Sequence, residues 1–161
     1  MNGLDEIKET WHINNQINLY LLNGIEQAHM NDTASSKGRT VGDQFGHINN
    51  VRLMWLKESE PELMDTVIRL EKGTTDKKII IEAFKKSAHA MAKMIEKGFQ
   101  TNRIKGFKPH PTAFLGYIIA HEAHHRGQII LSLKQSDHMP DKKRLFGLWE
   151  WGSRASEMEK E

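Results

Sequence analysis

His121 and His125 stand four residues apart in a stretch without helix-breaking clusters, so on a helix their imidazoles lie one above the other and can address a single ion. A third histidine, His47, sits between Phe45 and Ile48 and shares a helical face with Val51 and Met54. Three neutral imidazoles from two facing helices would bind Zn²⁺, Ni²⁺ or Fe²⁺ and leave positions open for water or substrate, which is the pattern of a catalytic site. An ion held this way lowers the pKa of a bound water or thiol toward neutrality and so creates a nucleophile at physiological pH. The plain alternative for each histidine is a hydrogen-bonded core residue. His124 cannot share the face of His121 as His125 does, because neighbouring residues on a helix point about 100° apart. It is read as flank, while His12, His29, His89, His110 and His138 are read as surface or satisfied core.

The string His121-Glu122-Ala123-His124-His125 also matches H-E-x-x-H, in which Glu122 would be the general base of a zinc protease. Its context argues against that reading. The residues that follow, Arg126-Gly127-Gln128-Ile129-Ile130-Leu131, lack the Gly and His continuation of one protease class, and no edge strand is visible to hold an extended peptide.

A chain of 161 residues with 38% apolar and 27% charged side chains has the size and composition of one domain, expected to span 1–161. That length supports a core without disulfides or a structural metal, so an ion would be optional for folding. With 23 basic and 21 acidic groups the net charge is +2, which gives no strong field for nucleic acid or an anionic membrane. The absence of cysteine excludes disulfides, thiolate zinc sites, iron–sulfur clusters and cysteine nucleophiles. The longest apolar run, Ala113 to Ala120, is eight residues, against the ~20 needed to span a bilayer. The N-terminus has no basic head followed by an apolar run, and a cytoplasmic location is expected.

The elements that must position the histidines follow from hydrophobic period. Leu4, Ile7, Trp11, Ile17, Leu21, Ile25 and Ala28 predict a first helix from about Asp5, its cap, to Met30. A polar loop, 31–39, precedes a second helix capped by Thr40, with Phe45, Ile48, Val51 and Trp55 inward, Arg52 outward, and an end near Lys57. Pro61 opens a short helix through Leu63, Met64, Val67, Ile68 and Leu70, ending at Gly73. A third long helix, capped by Thr75 or Asp76, carries Ile80, Phe84, Met91 and Ile95 and stops at Gly98. Thr112 caps a fourth, Ala113 to about Gln135, whose seam reads Phe114, Ile118, His121, His125, Gln128, Ser132. Trp11, Trp55, Met91 and Met94 are read as packing and Lys142-Lys143-Arg144 as a solvated turn. The fold class is all-α: a four-helix bundle with a long connection and a short extra C-terminal helix before a charged, fraying end.

The stretch His121-Glu122-Ala123-His124-His125-Arg126-Gly127-Gln128, with Gly46-His47 before it and Leu148-Trp149-Glu150-Trp151 after it, resembles the DinB/YfiT-like superfamily over nearly the whole chain. The resemblance implies a bundle with a right-handed twist, a divalent metal on His47, His121 and His125, and a homodimer. It implies a reaction class only loosely, since relatives include transferases and isomerases that use low-molecular-weight thiols. Arg126 and Gln128 look like supporting positions, and a hydrogen bond from Gln128 would orient a metal-bound imidazole. Two functions stay open: a metal-dependent enzyme acting on a small molecule, with a low-molecular-weight thiol as candidate cosubstrate, and a non-catalytic, stress-associated metal-binding dimer. An open cleft at the site favours the first and a sealed site the second. The roles of Glu122 and His124 are not assigned.

Overall fold

The computed structural model describes residues 2–158; Met1 and residues 159–161, on which part of the expected fraying end falls, lie outside the described residues. Four long helices form: α1 (Gly3–Asn23), α2 (Val41–Ser59), α3 (Lys77–Thr101) and α4 (Pro111–Gln135). Two short ones follow, α5 (Lys142–Gly147) and α6 (Trp151–Ser156), where one was expected. Among the described residues the only extended pairing is an isolated bridge between Ile104 and Phe107. No helix among them is long and apolar enough to cross a membrane.

Helix α1 packs chiefly on α3, and α2 lies between α3 and α4, so α1 and α2 occupy opposite corners. That diagonal step requires the long connection 24–40, which includes a 3-10 turn at Gln27–His29. A second long connection joins α2 to α3 through a 3-10 turn at Pro61–Thr66; beyond it Val67 is extended, so the short helix predicted there ends early. The extended piece lies against α2, where Asn50 pairs with Leu70 through both its amide atoms, accepting at 3.0 Å and donating at 2.8 Å. Gly42 permits the approach: a Cβ there would come within 2.6 Å of the Thr74 carbonyl oxygen.

Local chemistry explains the helix ends that differ from expectation. Asn2 caps α1 and Asp5 completes a capping box instead of being the cap. The helix stops at Asn23, not Met30, because the chain turns at Gly24, on which the Arg144 side chain packs. Asp76 caps α3, which continues past Gly98 to a left-handed Asn102 (φ 54°). Gly98 is needed for packing, since a Cβ would collide with Ile104. His110, not Thr112, caps α4, its Nδ1 accepting from Ala113 N at 3.2 Å, and Pro111 fits the first turn where no N–H is required. Arg144 does not belong to a solvated turn: its guanidinium lies 4.2 Å from the Tyr20 ring centroid and donates to the Tyr20 carbonyl.

The interior is two apolar clusters with a polar layer between them. One gathers Ile17, Leu21, Phe45, Ile48, Phe84, Ile129 and Leu133, and the other Trp11, Leu56, Met91, Ile95, Phe114 and Ile118. Between them sit Asn14, Asn15, Asn18, Arg52, Ser87 and Glu122, all buried. Arg52 therefore points inward, contrary to expectation. Its Nε and Nη2 donate to the two Glu122 oxygens at 2.6 and 2.9 Å, and its Nη1 donates to Asn15 and Ser87. Trp11 and Phe84 lie 4.9 and 4.7 Å from the guanidinium carbon. The buried line of α4 accordingly runs Phe114, Ile118, Glu122, Arg126, Ile129, Leu133, and not through His121 and Gln128.

Glu122→Gln removes one partner of this buried pair and strands the Arg52 charge. Urea denaturation should show a loss of about 3–5 kcal/mol, and the paired apolar replacement Arg52→Met with Glu122→Leu should not restore the native stability, because it leaves Asn14, Asn15, Asn18 and Ser87 buried without their partners.

Candidate metal centre

Helix rotation decides which neighbours of Glu122 reach the site. With Glu122 aimed at the bundle axis, His121 falls to one side of it at half burial, His125 lies one turn on and is buried, and His124 is exposed. Across from them, α2 presents His47, which is half-buried on the side of the helix away from Arg52. The ring centroids lie 4.5 Å apart for His47 and His125, 4.6 Å for His121 and His125, and 5.4 Å for His47 and His121. One nitrogen from each ring can be chosen so that all three fall within 4.8 Å of one another. The structure thus brings together the three residues that spacing singled out. Imidazole nitrogens at this separation, from two helices, suit Zn²⁺, Ni²⁺ or Fe²⁺.

Two observations test whether these residues fit an ion. His121 Nδ1 is buried without a hydrogen-bond partner among the described residues, a deficit of about 1–3 kcal/mol for an unmet polar group that an ion on that nitrogen would relieve. His125 Nδ1 lies 2.8 Å from Gln44 Oε1, an oxygen that can only accept. The proton is therefore on Nδ1 of the neutral ring, and Nε2 presents its lone pair. The supporting amide is Gln44 of α2, not Gln128 as the sequence suggested; Gln128 lies on the edge of a neighbouring cleft.

All three rings are held neutral. Burial lowers the pKa of His125 from 6.5 to about 4, aided by His47, His121, His124 and Arg39. Burial also lowers His47, with Arg39 and His121 adding to the effect. His121 is lowered by burial despite the opposing charge of adjacent Glu122, with His124 and Arg39 reinforcing the shift. Neutral imidazoles are the ligating form, so protons do not compete for the ion near pH 7.

Glu122 cannot be the base of a zinc-protease motif, because both its oxygens are engaged in the core. Burial raises its pKa, but the charge and hydrogen bonds of Arg52, the Arg126 charge and the Asn18 amide outweigh that, leaving it below the usual carboxylate value. Arg126 has a matching structural role, donating to Asn14 Oδ1 at 3.0 Å and Asn18 Oδ1 at 2.7 Å. Burial lowers its pKa to about 10, so it remains a cation at neutral pH.

His47 opens onto a cleft of about 490 Å³ whose walls include Arg39, Arg69 and Lys72 beside Asp43, Glu71, Asn50 and Leu70. Arg39 also edges a smaller cleft of about 230 Å³ on the Gln44 and Gln128 side. Beyond His121, Tyr117 stacks at 6.5 Å and leads into an aromatic group of Trp55, Phe107 and Phe114. Sequence reasoning missed Gln44 and Arg39. Gln44 had a signal in lying three residues before His47, one helical turn away on the same helix; Arg39, in a polar loop, had none.

A family model described as DinB family matches residues 1–143. No curated protein and no solved structure matches the chain.

Gln44→Leu leaves the His125 ring without its orienting acceptor. Metal affinity, measured by competition with a chelating indicator, should fall roughly 10–100-fold while far-UV circular dichroism stays unchanged. The depressed histidine pKa values also set a pH dependence for the metal-free protein. Between pH 6.5 and about 4 the unfolded chain binds more protons than the folded one, so the His125 contribution to stability falls as pH drops through that window. Thermal melts in chelator should show this slope, and His125→Gln should flatten it.

Proposed function

We propose that this chain, which belongs to the DinB family, is a divalent-metal-dependent enzyme that acts on a small molecule at the His47, His121 and His125 cluster. The observation that carries the proposal is the opening of His47 onto a cleft: a site built only to brace the fold has no need of one. The cleft is more charged than the apolar pocket expected for a small-molecule site. Arg39, Arg69 and Lys72 outnumber Asp43 and Glu71, and Asp43 is already accepting from Gly73 N at 2.8 Å. A substrate with an anionic group suits these walls, and the Tyr117 side offers contact for an apolar part.

The chain's own residues would divide the work. His47, His121 and His125 would hold Zn²⁺, Ni²⁺ or Fe²⁺, and Gln44 fixes the tautomer and orientation of His125. A divalent ion there supplies Lewis acidity and lowers the pKa of a water or thiol that reaches it. Arg39, whose charge is felt by all three imidazoles, would draw an anionic group toward the cluster. Because the chain has no cysteine, any sulfur nucleophile must come from a cosubstrate, which suits a transferase that uses a low-molecular-weight thiol. A hydrolase or isomerase on the same ligand set is the related alternative.

The homodimer implied by the resemblance is kept in this proposal. Phe146 and Trp149, 68% and 80% exposed, are the large apolar groups most open to a second copy. Light scattering on the native chain and on Trp149→Ser checks it, the variant being expected to run as the smaller species.

Elemental analysis of untagged protein should find one ion fewer per chain in His125→Ala than in the native chain, with the helices retained. A screen of several low-molecular-weight thiols against electrophilic acceptors should then give transfer with the native chain and at least 100-fold less with His125→Ala. Metal retention without any turnover would favour the non-catalytic dimer.

A further inference from the structure

Two histidines outside the site meet at one end of the bundle. His29 closes the 3-10 turn after α1, and His138 follows the C-terminus of α4. Their rings stack with centroids 3.5 Å apart and planes 8° from parallel. His138 Nδ1 lies 2.6 Å from Asp32 Oδ2, and His29 Nε2 lies 3.9 Å from Glu26 Oε2. One ligand atom each from His29, Asp32 and His138 falls within 4.8 Å of the other two.

The backbone beneath these side chains is fixed on both sides. Asp32 donates its N–H to the His29 carbonyl at 3.1 Å, and its own carbonyl accepts from Val41 at 2.9 Å. On the other side His138 N donates to the Leu133 carbonyl at 2.8 Å, after a turn that places Asp137 in the left-handed region at φ 61°. That conformation is unfavourable for a non-glycine residue, and here it turns His138 back onto the first connection. Ser35 and Ser136 complete the join, through Gln135 Oε1 at 2.7 Å and the Thr33 carbonyl at 3.2 Å.

The donor set is what a divalent transition metal requires. It offers two imidazole nitrogens and one carboxylate oxygen, with a second carboxylate beside them, and two carboxylates balance an M²⁺ charge. A single ion could draw on both rings and on the carboxylate of Asp32. Parallel rings set their nitrogens side by side, so ligation requires each ring to turn about χ2. The side chains of His29 and His138 are 21% and 37% exposed and have room to do so.

We propose that His29, Asp32 and His138, with Glu26 as a fourth donor, form a second divalent-cation site that clasps the α1–α2 connection to the end of α4. The site is separate from the His47 cluster and shares no residue with it. Any effect on the first site would pass through the connection it anchors, because that segment carries Arg39, which lines the cleft at His47.

Zinc titration of the untagged, chelator-stripped full chain tests this, with stoichiometry read by native mass spectrometry and by competition with a chelating indicator. The native chain should take two ions. His138→Ala, at an exposed position, and Asp32→Asn, which keeps the side chain's shape, should each take one, and His121→Ala with His125→Ala should also take one. Zinc should raise the Tm of that double variant, and adding His138→Ala should abolish the rise. A stoichiometry in His138→Ala equal to that of the native chain would overturn the proposal, as would a folded His121→Ala/His125→Ala chain that takes no zinc. If the double variant fails to fold, the comparison of native chain with His138→Ala decides by itself.

Discussion

The buried pair between Arg52 and Glu122 constrains everything else in this bundle. Removing two charges from water costs several kcal/mol per ion, and only dense pairing offsets it. Here the offset is nearly complete. Glu122 accepts from both arms of the guanidinium and from the Asn14 and Asn18 amides, each at 2.7 Å. The spare donor of Arg52 reaches α1 at Asn15 and α3 at Ser87, so one side chain of α2 is tied to the other three long helices. An apolar core tolerates a helix sliding by a turn far better than such a network does, because the slide would leave a carboxylate and a guanidinium unpaired in the interior. Register between α2 and α4 is set by this pair, and His47 meets His121 and His125 as a consequence.

Along α4 the chemistry changes with each 100° of rotation. Glu122 and Arg126 point to the core, His121 and His125 to its margin, and His124 to solvent. The margin matters for the imidazoles: deep enough that burial disfavours their protonation, shallow enough that the cluster communicates with a cleft. Among the described residues no carboxylate belongs to the cluster, and Glu122, next to His121 in sequence, is committed to Arg52. A dication held by three neutral rings would keep its full charge, to which Arg39, Arg69 and Lys72 would add. With an ion in place the site would be positive in sense despite Asp43 and Glu71, complementing an anion and favouring the deprotonated form of a weak acid that enters.

The helices and the three clustered histidines were legible because period and spacing are local properties of the chain. The polar layer was not, although its trace was present. Trp11, Asn14, Asn18, Leu21 and Ile25 continue one helical face without a gap, as do Phe45, Ile48, Arg52 and Leu56, and as do Phe114, Ile118, Glu122 and Ile129. Each face passes through a polar residue that hydropathy assigns to solvent. Only pairing across helices makes those assignments wrong, and pairing is a long-range fact. The same limit hid the contact between His29 and His138, which are adjacent only after α4 returns beside the first connection. It also misplaced the ends of α1 and α4, where Asn2 and His110 supply caps that neighbouring residues could equally have supplied.

The string H-E-x-x-H shows how little a motif fixes without rotation about the helix axis. In a zinc protease the glutamate must stand beside the ion and meet a water, so it needs free oxygens and access to solvent. In this chain the same five letters are turned so that the glutamate faces Arg52 and is fully buried, while the two histidines are left at the edge. What selects the second orientation lies outside the motif: an arginine on α2 at the height of Glu122, with two asparagines on α1 to take up its remaining capacity. Replacing Glu122 by an apolar residue would remove the formal motif and, with it, the partner of Arg52 that sets the height at which His47 meets His121 and His125. Moving Arg52 away would leave the letters intact and remove the reason for their orientation. The histidine cluster is therefore a property of two facing helices, with the glutamate serving as the peg that holds them in register.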